Sequence, residues 1–136
     1  MKEIDVVIGL ICRDGKVLIC RRRQEDPLGG YWEFPGGKQE PGELREQCLV
    51  RELTEELAIQ VRVIQPLESI TYDYATVRVH LHPFFCEHTN GEPQPLASQR
   101  LTWAAARDLR DYRFPPANDS LIRWLKTRLA SEASNQ

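Results

Sequence analysis

The stretch that most constrains this chain is Gly37-Lys38-Gln39-Glu40-Pro41-Gly42-Glu43, continued through Arg51-Glu52-Leu53-Thr54-Glu55-Glu56-Leu57-Ala58-Ile59. Glycine and proline crowd the first part into a tight loop, and the second part has the period of an amphipathic helix expected over about Glu43 to Leu57. With ~100° per residue and Glu52 at zero, Glu56 falls near ~40° and Glu55 near ~300°, so the acids share one arc. Leu49, Val50, Leu53 and Leu57 occupy a separate arc, which gives the helix an apolar side for a core. Arg51 stands one turn before Glu55, where an ion pair is available. Carboxylates this dense repel one another until a cation sits among them, and a hard divalent ion is the usual occupant. Taken alone, Arg-Glu-Leu-Thr-Glu-Glu is more simply a solvated acidic helix face.

The rest of the chain mixes strands and helices. Ile4 to Cys12 and Val17 to Arg22 flank an Asp14-Gly15 turn and predict a hairpin. Arg21-Arg22-Arg23 reads as a solvated strand end or as a phosphate or base contact at the mouth of a site. Gln24 to Gly30 is a loop, and Tyr31-Trp32-Glu33-Phe34 a short aromatic strand cut off by Pro35-Gly36-Gly37. Strand segments are expected at Val61 to Ile64 and Glu68 to Tyr72. Another is expected at Thr76 to Cys86, where Pro83 implies a bulge or an edge. His80 and His82 share a face of that strand, as a zinc pair or as ordinary strand histidines, and no third ligand is placed to complete a zinc set. His88 to Pro93 reads as a loop, Arg100 to Trp103 as a strand, and Ala104 to Leu109 as a helical turn. A final helix carries Leu121, Ile122, Trp124, Leu125 and Leu129, with Asn118 either its N-cap or a side chain aimed at a ligand. The fold class is α/β (α+β) with a mixed, partly antiparallel sheet, in a single domain over 1–136 with a frayed tail at 131–136.

A chain of 136 residues is long enough for one hydrophobic core. With 18 Lys+Arg against 20 Asp+Glu it carries a net charge of −2, which disfavours a stable nucleic-acid complex. No apolar run approaches the ~20 residues of a membrane span, and the start is not a signal peptide, so a cytoplasmic protein is expected. Cys12, Cys20, Cys48 and Cys86 lack C-x-x-C spacing and read as reduced thiols.

Three convergent carboxylates without a thiol or imidazole set make an oxygen-only site, suited to Mg²⁺ or Mn²⁺. Such an ion takes further ligands from substrate phosphates and can orient an attacking water. Phosphoanhydride hydrolysis follows as a reaction class.

The full spacing sharpens that reading. A glycine, five residues, a glutamate, seven residues, then Arg-Glu-aliphatic-any-Glu-Glu-any-glycine-aliphatic is the box of the Nudix hydrolases. Gly37, Glu43, Arg51, Glu52, Leu53, Glu55, Glu56 and Ile59 fill it, with Ala58 standing where the family has glycine. Glu33-Phe34-Pro35-Gly36-Gly37-Lys38 and Phe114-Pro115-Pro116-Ala117-Asn118 resemble segments of the MutT-type branch. The resemblance implies a Nudix-like α/β/α sandwich in which Glu52, Glu55, Glu56 and the Gly37 carbonyl hold Mg²⁺. It also implies that Glu52 helps activate water and that Arg51 and Glu43 brace the loop and helix. Arg22, Phe34, Lys38 and Asn118 would meet the nucleotide. The implied reaction takes nucleoside triphosphates, notably 8-oxo-dGTP, to monophosphate and pyrophosphate, which clears mutagenic nucleotides from the DNA-replication pool. The alternatives are a cytidine-nucleotide diphosphohydrolase, another diphosphate-linked substrate, or a non-catalytic nucleotide-binding module, as monomer or homodimer. One departure concerns the site itself. MutT-like proteins carry a further glutamate six residues before the tryptophan matched by Trp103, and here that position is Ala97, with Glu87 and Glu92 out of register.

Overall fold

The computed structural model describes residues 1–134. Its spine is two long strands, β1 (Lys2–Arg13) and β7 (Val77–Asn90), paired in parallel from Lys2↔Val77 to Cys12↔Glu87. β2 (Lys16–Arg21) returns antiparallel to β1 across the Asp14-Gly15 turn, where both residues take positive φ (52° and 76°). β3 (Trp32–Glu33) and β8 (Arg100–Ala105) flank β2, β4 (Gly36–Lys38) pairs β1, and β5 (Gln60–Pro66) and β6 (Ile70–Tyr74) both pair β7. The result is an eight-stranded mixed sheet.

Period-two alternation in β1 and β2 divides the apolar residues between two layers. Val7, Ile11, Leu18 and Cys20 face α1 (Arg45–Leu57), which buries Cys48, Leu49, Leu53 and Leu57 against them. Gly9 permits that approach, because a Cβ there would come within 3.3 Å of Leu49. Ile8, Leu10, Val17 and Ile19 face the opposite layer, where α2 (Asp119–Ser134) contributes Leu121, Leu125 and Leu129 at helical spacing. Helix, sheet and helix thus stack as an α/β/α sandwich. Cys12 belongs to the α2 layer and Cys20 to the α1 layer, so the hairpin does not bring these thiols together.

Several expectations are corrected. α1 begins at Arg45 rather than Glu43, because the Glu43 carboxylate accepts the Glu40 N–H at 3.0 Å and belongs to the loop. Val50, placed on the apolar arc, is exposed. Gly36 and Gly37 do not merely end a strand but form β4, in the register Val7↔Gly37. β7 continues past Cys86 to Asn90, and the chain turns at Gly91, which takes φ 84°. Pro83 lies in this central strand, at neither an edge nor a bulge of its own. β6 pairs β7 only as far as Leu81, and β5 begins at Phe84, so Pro83 falls in the gap between them. Its missing N–H is not needed there, and its carbonyl accepts the Leu67 N–H at 2.9 Å. The β5–β7 register shifts instead at two other places, between Gln60 and Val61 and between Val63 and Gln65. His80 bridges Thr71 and Glu3, and buried His82 bridges Ser69 and Asp5, so both histidines act as ordinary cross-strand links. The helical turn expected over Ala104 to Leu109 is a 3-10 turn at Ala106–Asp111. The expected frayed tail shortens: the α2 backbone stays helical to Ser134, and 135–136 lie outside the described residues. Among the described residues no helix is long and apolar enough to cross a membrane.

Candidate active site

The loop before α1 and the helix itself are joined by one guanidinium. Arg51 donates to both carboxylate oxygens of Glu43 (2.7 and 3.0 Å), to Glu52 Oε1 (3.0 Å), to Glu55 Oε2 (3.4 Å) and to the Lys38 carbonyl (3.2 Å). The two bonds to Glu43 are the bidentate geometry that a planar guanidinium favours. They hold the Glu43 carboxyl down at about 2, helped by the Glu40 N–H. The brace expected of Arg51 and Glu43 is therefore present in the geometry.

Glu52 is mostly buried and lies directly against Gly37: a Cβ at Gly37 would sit 2.4 Å from the Glu52 carboxyl carbon. Only glycine leaves room for that carboxylate beside the β4 backbone. One turn on, Glu56 lines the same cavity as Gly37, and its carboxyl is pushed up to about 8. Burial is the main cause, followed by a hydrogen bond with Glu52 and the negative charges of Glu52, Glu33 and Glu55. Glu55 is more exposed and leans on Arg51. At the helix end Ala58 adopts the left-handed conformation (φ 58°, ψ 38°), and its N–H donates to Thr54 O at 3.1 Å. A left-handed alanine costs ~1 kcal/mol relative to glycine, and the cap still forms.

A cavity of about 530 Å³ opens beside this acidic edge. Gly37, Lys38, Glu56, Arg22, Phe34 and Asn118 all line it, so most of the sequence-derived site residues meet in one space. Glu52 and Glu55 do not line it. Phe34 is buried and stacked on Phe114, with ring centroids 5.1 Å apart. Asn118 is buried at the end of the 3-10 turn Pro116–Asn118, and its amide donates to Pro115 O at 3.4 Å. Arg22 donates to Glu33 (2.7 Å) and to Pro27 O (2.6 Å), so it is an ordered part of the wall and not a loose strand end.

Sequence reasoning did not single out Glu33, Tyr72 or Ser98, which also line the cavity. Glu33 had a usable signal, since it alternates with Trp32 and Phe34 and must point away from the aromatic layer. Burial pushes its carboxyl up, against the pull of Arg22. Ala97 also reaches the cavity, but Glu92 pairs with Arg13 (3.3 Å) and Glu87 with Arg62 (2.7 Å), so neither replaces the absent glutamate.

Among the described residues no three His, Cys, Asp or Glu side chains close on one point as a finished metal cage. The donors present still fit a hard divalent cation. They are oxygens only, and Glu56 holds a proton against Glu52 where a cation would otherwise relieve the repulsion.

Comparison with known proteins agrees with this geometry. A family model described as "NUDIX domain" matches residues 6–124. A CTP pyrophosphohydrolase of Escherichia coli (strain K12) is 38% identical over 122 residues, covering 90% of each chain. An 8-oxo-dGTP diphosphatase of the same organism is 34% identical over 127 residues, covering 93% of this chain and 98% of that one. The crystal structure of a MutT NUDIX hydrolase from Burkholderia pseudomallei superposes with a TM-score of 0.81 at 25% identity, over 90% of this chain and 98% of the other. A box whose arginine, glutamates and glycine pack as described, within an α/β/α sandwich matched over most of its length, places this chain in the Nudix family of phosphoanhydride hydrolases.

Proposed function

We propose that this Nudix hydrolase cleaves nucleoside triphosphates to the monophosphate and pyrophosphate in a Mg²⁺-dependent reaction, with Mn²⁺ as a substitute, and that its preferred substrate is an oxidised purine nucleotide of the 8-oxo-dGTP type. The observation that carries this reading is one cavity lined both by Phe34 and Asn118, which suit a base, and by Gly37 and Glu56 of the acidic box. The aromatic face suits stacking on a base. The Asn118 amide, with one donor and one acceptor side, suits a purine edge.

In this reading the Gly37 carbonyl and the carboxylates of Glu52, Glu55 and Glu56 hold the ion. When bound, it neutralises phosphate charge and lowers the proton affinity of water. Glu52, fixed by Arg51 and by its contact with Gly37, takes the proton of the attacking water. Water oxygen forms the new bond to phosphorus as the phosphoanhydride bond to that phosphorus breaks, which yields the monophosphate and pyrophosphate. Arg22 and Lys38, at the cavity wall, face the anionic part of the nucleotide. Arg51 and Glu43 keep loop and helix in register throughout.

A second reading has its own support. The Glu33 carboxyl lies in the cavity, and a carboxylate accepts a hydrogen bond from the exocyclic amine of cytosine. Together with the CTP pyrophosphohydrolase relative, this favours a cytidine nucleotide. A panel of 8-oxo-dGTP, dGTP, CTP and dCTP ranked by kcat/KM separates the two. The purine reading expects 8-oxo-dGTP first, with that preference over dGTP reduced about tenfold or more in Asn118→Ala, in line with one lost base contact. An unchanged ratio in that variant would remove Asn118 from recognition of the base.

A further inference from the structure

We propose that a second cavity, bordered by Lys16, Arg107, Arg110 and Lys126, binds a polyphosphate anion, either inorganic pyrophosphate or the phosphate tail of a nucleotide.

This cavity measures about 860 Å³ and shares no residue with the active-site cavity. Three elements build it. β2 begins at Lys16, which stands opposite Ala105 of β8 in the antiparallel register, so the two side chains leave the same face of the sheet. α2 brings Lys126 and, about one turn on, Leu129 along one side of the helix. The third element is the 3-10 turn Ala106–Asp111, whose sequence Ala-Arg-Asp-Leu-Arg-Asp repeats its pattern every three residues. A 3-10 helix has about three residues per turn, so side chains three apart stack in columns. Ala106 and Leu109 form the buried column, and Arg107 and Arg110 the column that lines the cavity. Asp108 and Asp111 form the remaining column, which does not line it. The turn thus sorts its own charges and offers two arginines to one space.

Four cations border this concavity against the single carboxylate of Asp14, in a chain whose net charge is −2. All four are exposed, and among the described residues none of their side chains is held in an ion pair or hydrogen bond. Elsewhere Arg13, Arg22, Arg51, Arg62 and Arg78 each pair with a carboxylate. Like charges gathered without partners repel one another until an anion enters. One carboxylate offsets one cation, whereas linked phosphates bring several charges at once, and the planar guanidinium fork matches two phosphate oxygens. Leu129 and the small side chains of Ala105 and Ala106 leave the space between the cations open.

The test is an NMR titration of the ¹⁵N-labelled full-length protein, kept metal-free with chelator and at constant ionic strength. Separate arms receive pyrophosphate, dGTP, inorganic phosphate and an oligoglutamate peptide. Pyrophosphate or dGTP shifts the amides of Lys16, Arg107, Arg110 and Lys126 saturably, and the tighter of the two identifies the source of the phosphates. Inorganic phosphate and the peptide bind at least about tenfold more weakly, since each forgoes charge-assisted bonds. Arg107→Gln combined with Arg110→Gln weakens binding about tenfold or more on the same basis, while the response of Arg22 and Lys38 in the active-site cavity stays as in the parent. Lys16→Gln, on a separate element, weakens binding in the same direction and decides the matter should the double variant fail to fold. Shifts confined to the active-site cavity, or shifts that never saturate, overturn the proposal. Equal binding of the peptide, or unchanged affinity in the variants, overturns it as well.

Discussion

Glu43 and Glu56 belong to the same loop–helix unit, yet their surroundings drive them in opposite directions. Glu43 meets a bidentate arginine and a backbone N–H, and its carboxyl is held down at about 2. Glu56 is buried beside Glu52 and Glu33, and its carboxyl rises to about 8. Arg51 thus completes one end of the unit and leaves the other short of positive charge. The difference separates an acid that holds the fold together from one that is strained until something else arrives. Sequence spacing places both in one motif and does not distinguish their environments.

The largest effect should come from Gly37→Ala. The new Cβ displaces the flexible Glu52 carboxylate from β4, so turnover should fall ~100-fold while Tm changes little, as small misplacements at a reacting centre do. Retained activity would show that the contact with Gly37 does not position Glu52. Glu56→Gln should weaken Mg²⁺ binding about tenfold, as a lost ligand or outer-shell partner does, and raise the metal-free Tm at neutral pH, because a neutral amide avoids the cost of protonating a buried acid on folding. If melting falls instead, the two acids are not opposites. Glu43→Gln should lower Tm and reduce turnover about tenfold by loosening the brace. Its pH signature is distinct. The Glu43 carboxyl is lowered from 4.5 to about 2 on folding, so its stabilisation is complete above pH 4.5 and lost as pH falls towards 2. Acid unfolding of the variant, followed by circular dichroism, should therefore be less steep in that window. Ala58→Gly is the smallest change: relief of the left-handed alanine, offset by a more flexible unfolded chain, leaves a gain of roughly 0.5 kcal/mol, read as a Tm rise of about 2 °C.

Features whose causes lie within a few residues were legible in the sequence. The Asp14-Gly15 hairpin and the α1 acids follow from local turn chemistry and helical period. Features decided by partners distant in the chain were not. β4 forms because β1 offers its edge to three residues that look like a strand terminator. Val50 is exposed because the contact between α1 and the sheet is narrower than the apolar arc. Ser98 carries no signal in its own neighbourhood, and it reaches the cavity only because Leu96 and Gln99 on either side of it donate to the Glu56 and Arg21 carbonyls. The absence of a glutamate at Ala97 was readable, while what lines the wall in its place required the fold.

Pro83 has a further consequence for how this architecture tolerates change. β1 spans the whole of one side of β7, whereas β5 and β6 meet end to end on the other, with Pro83 at the seam. Residues added at exposed Glu68, in the link between these half-strands, would widen the seam without sliding either one along β7. The seam is therefore where a peptide tag or a new pair of termini could be introduced while the hydrolytic box, on another part of the sheet, keeps its register.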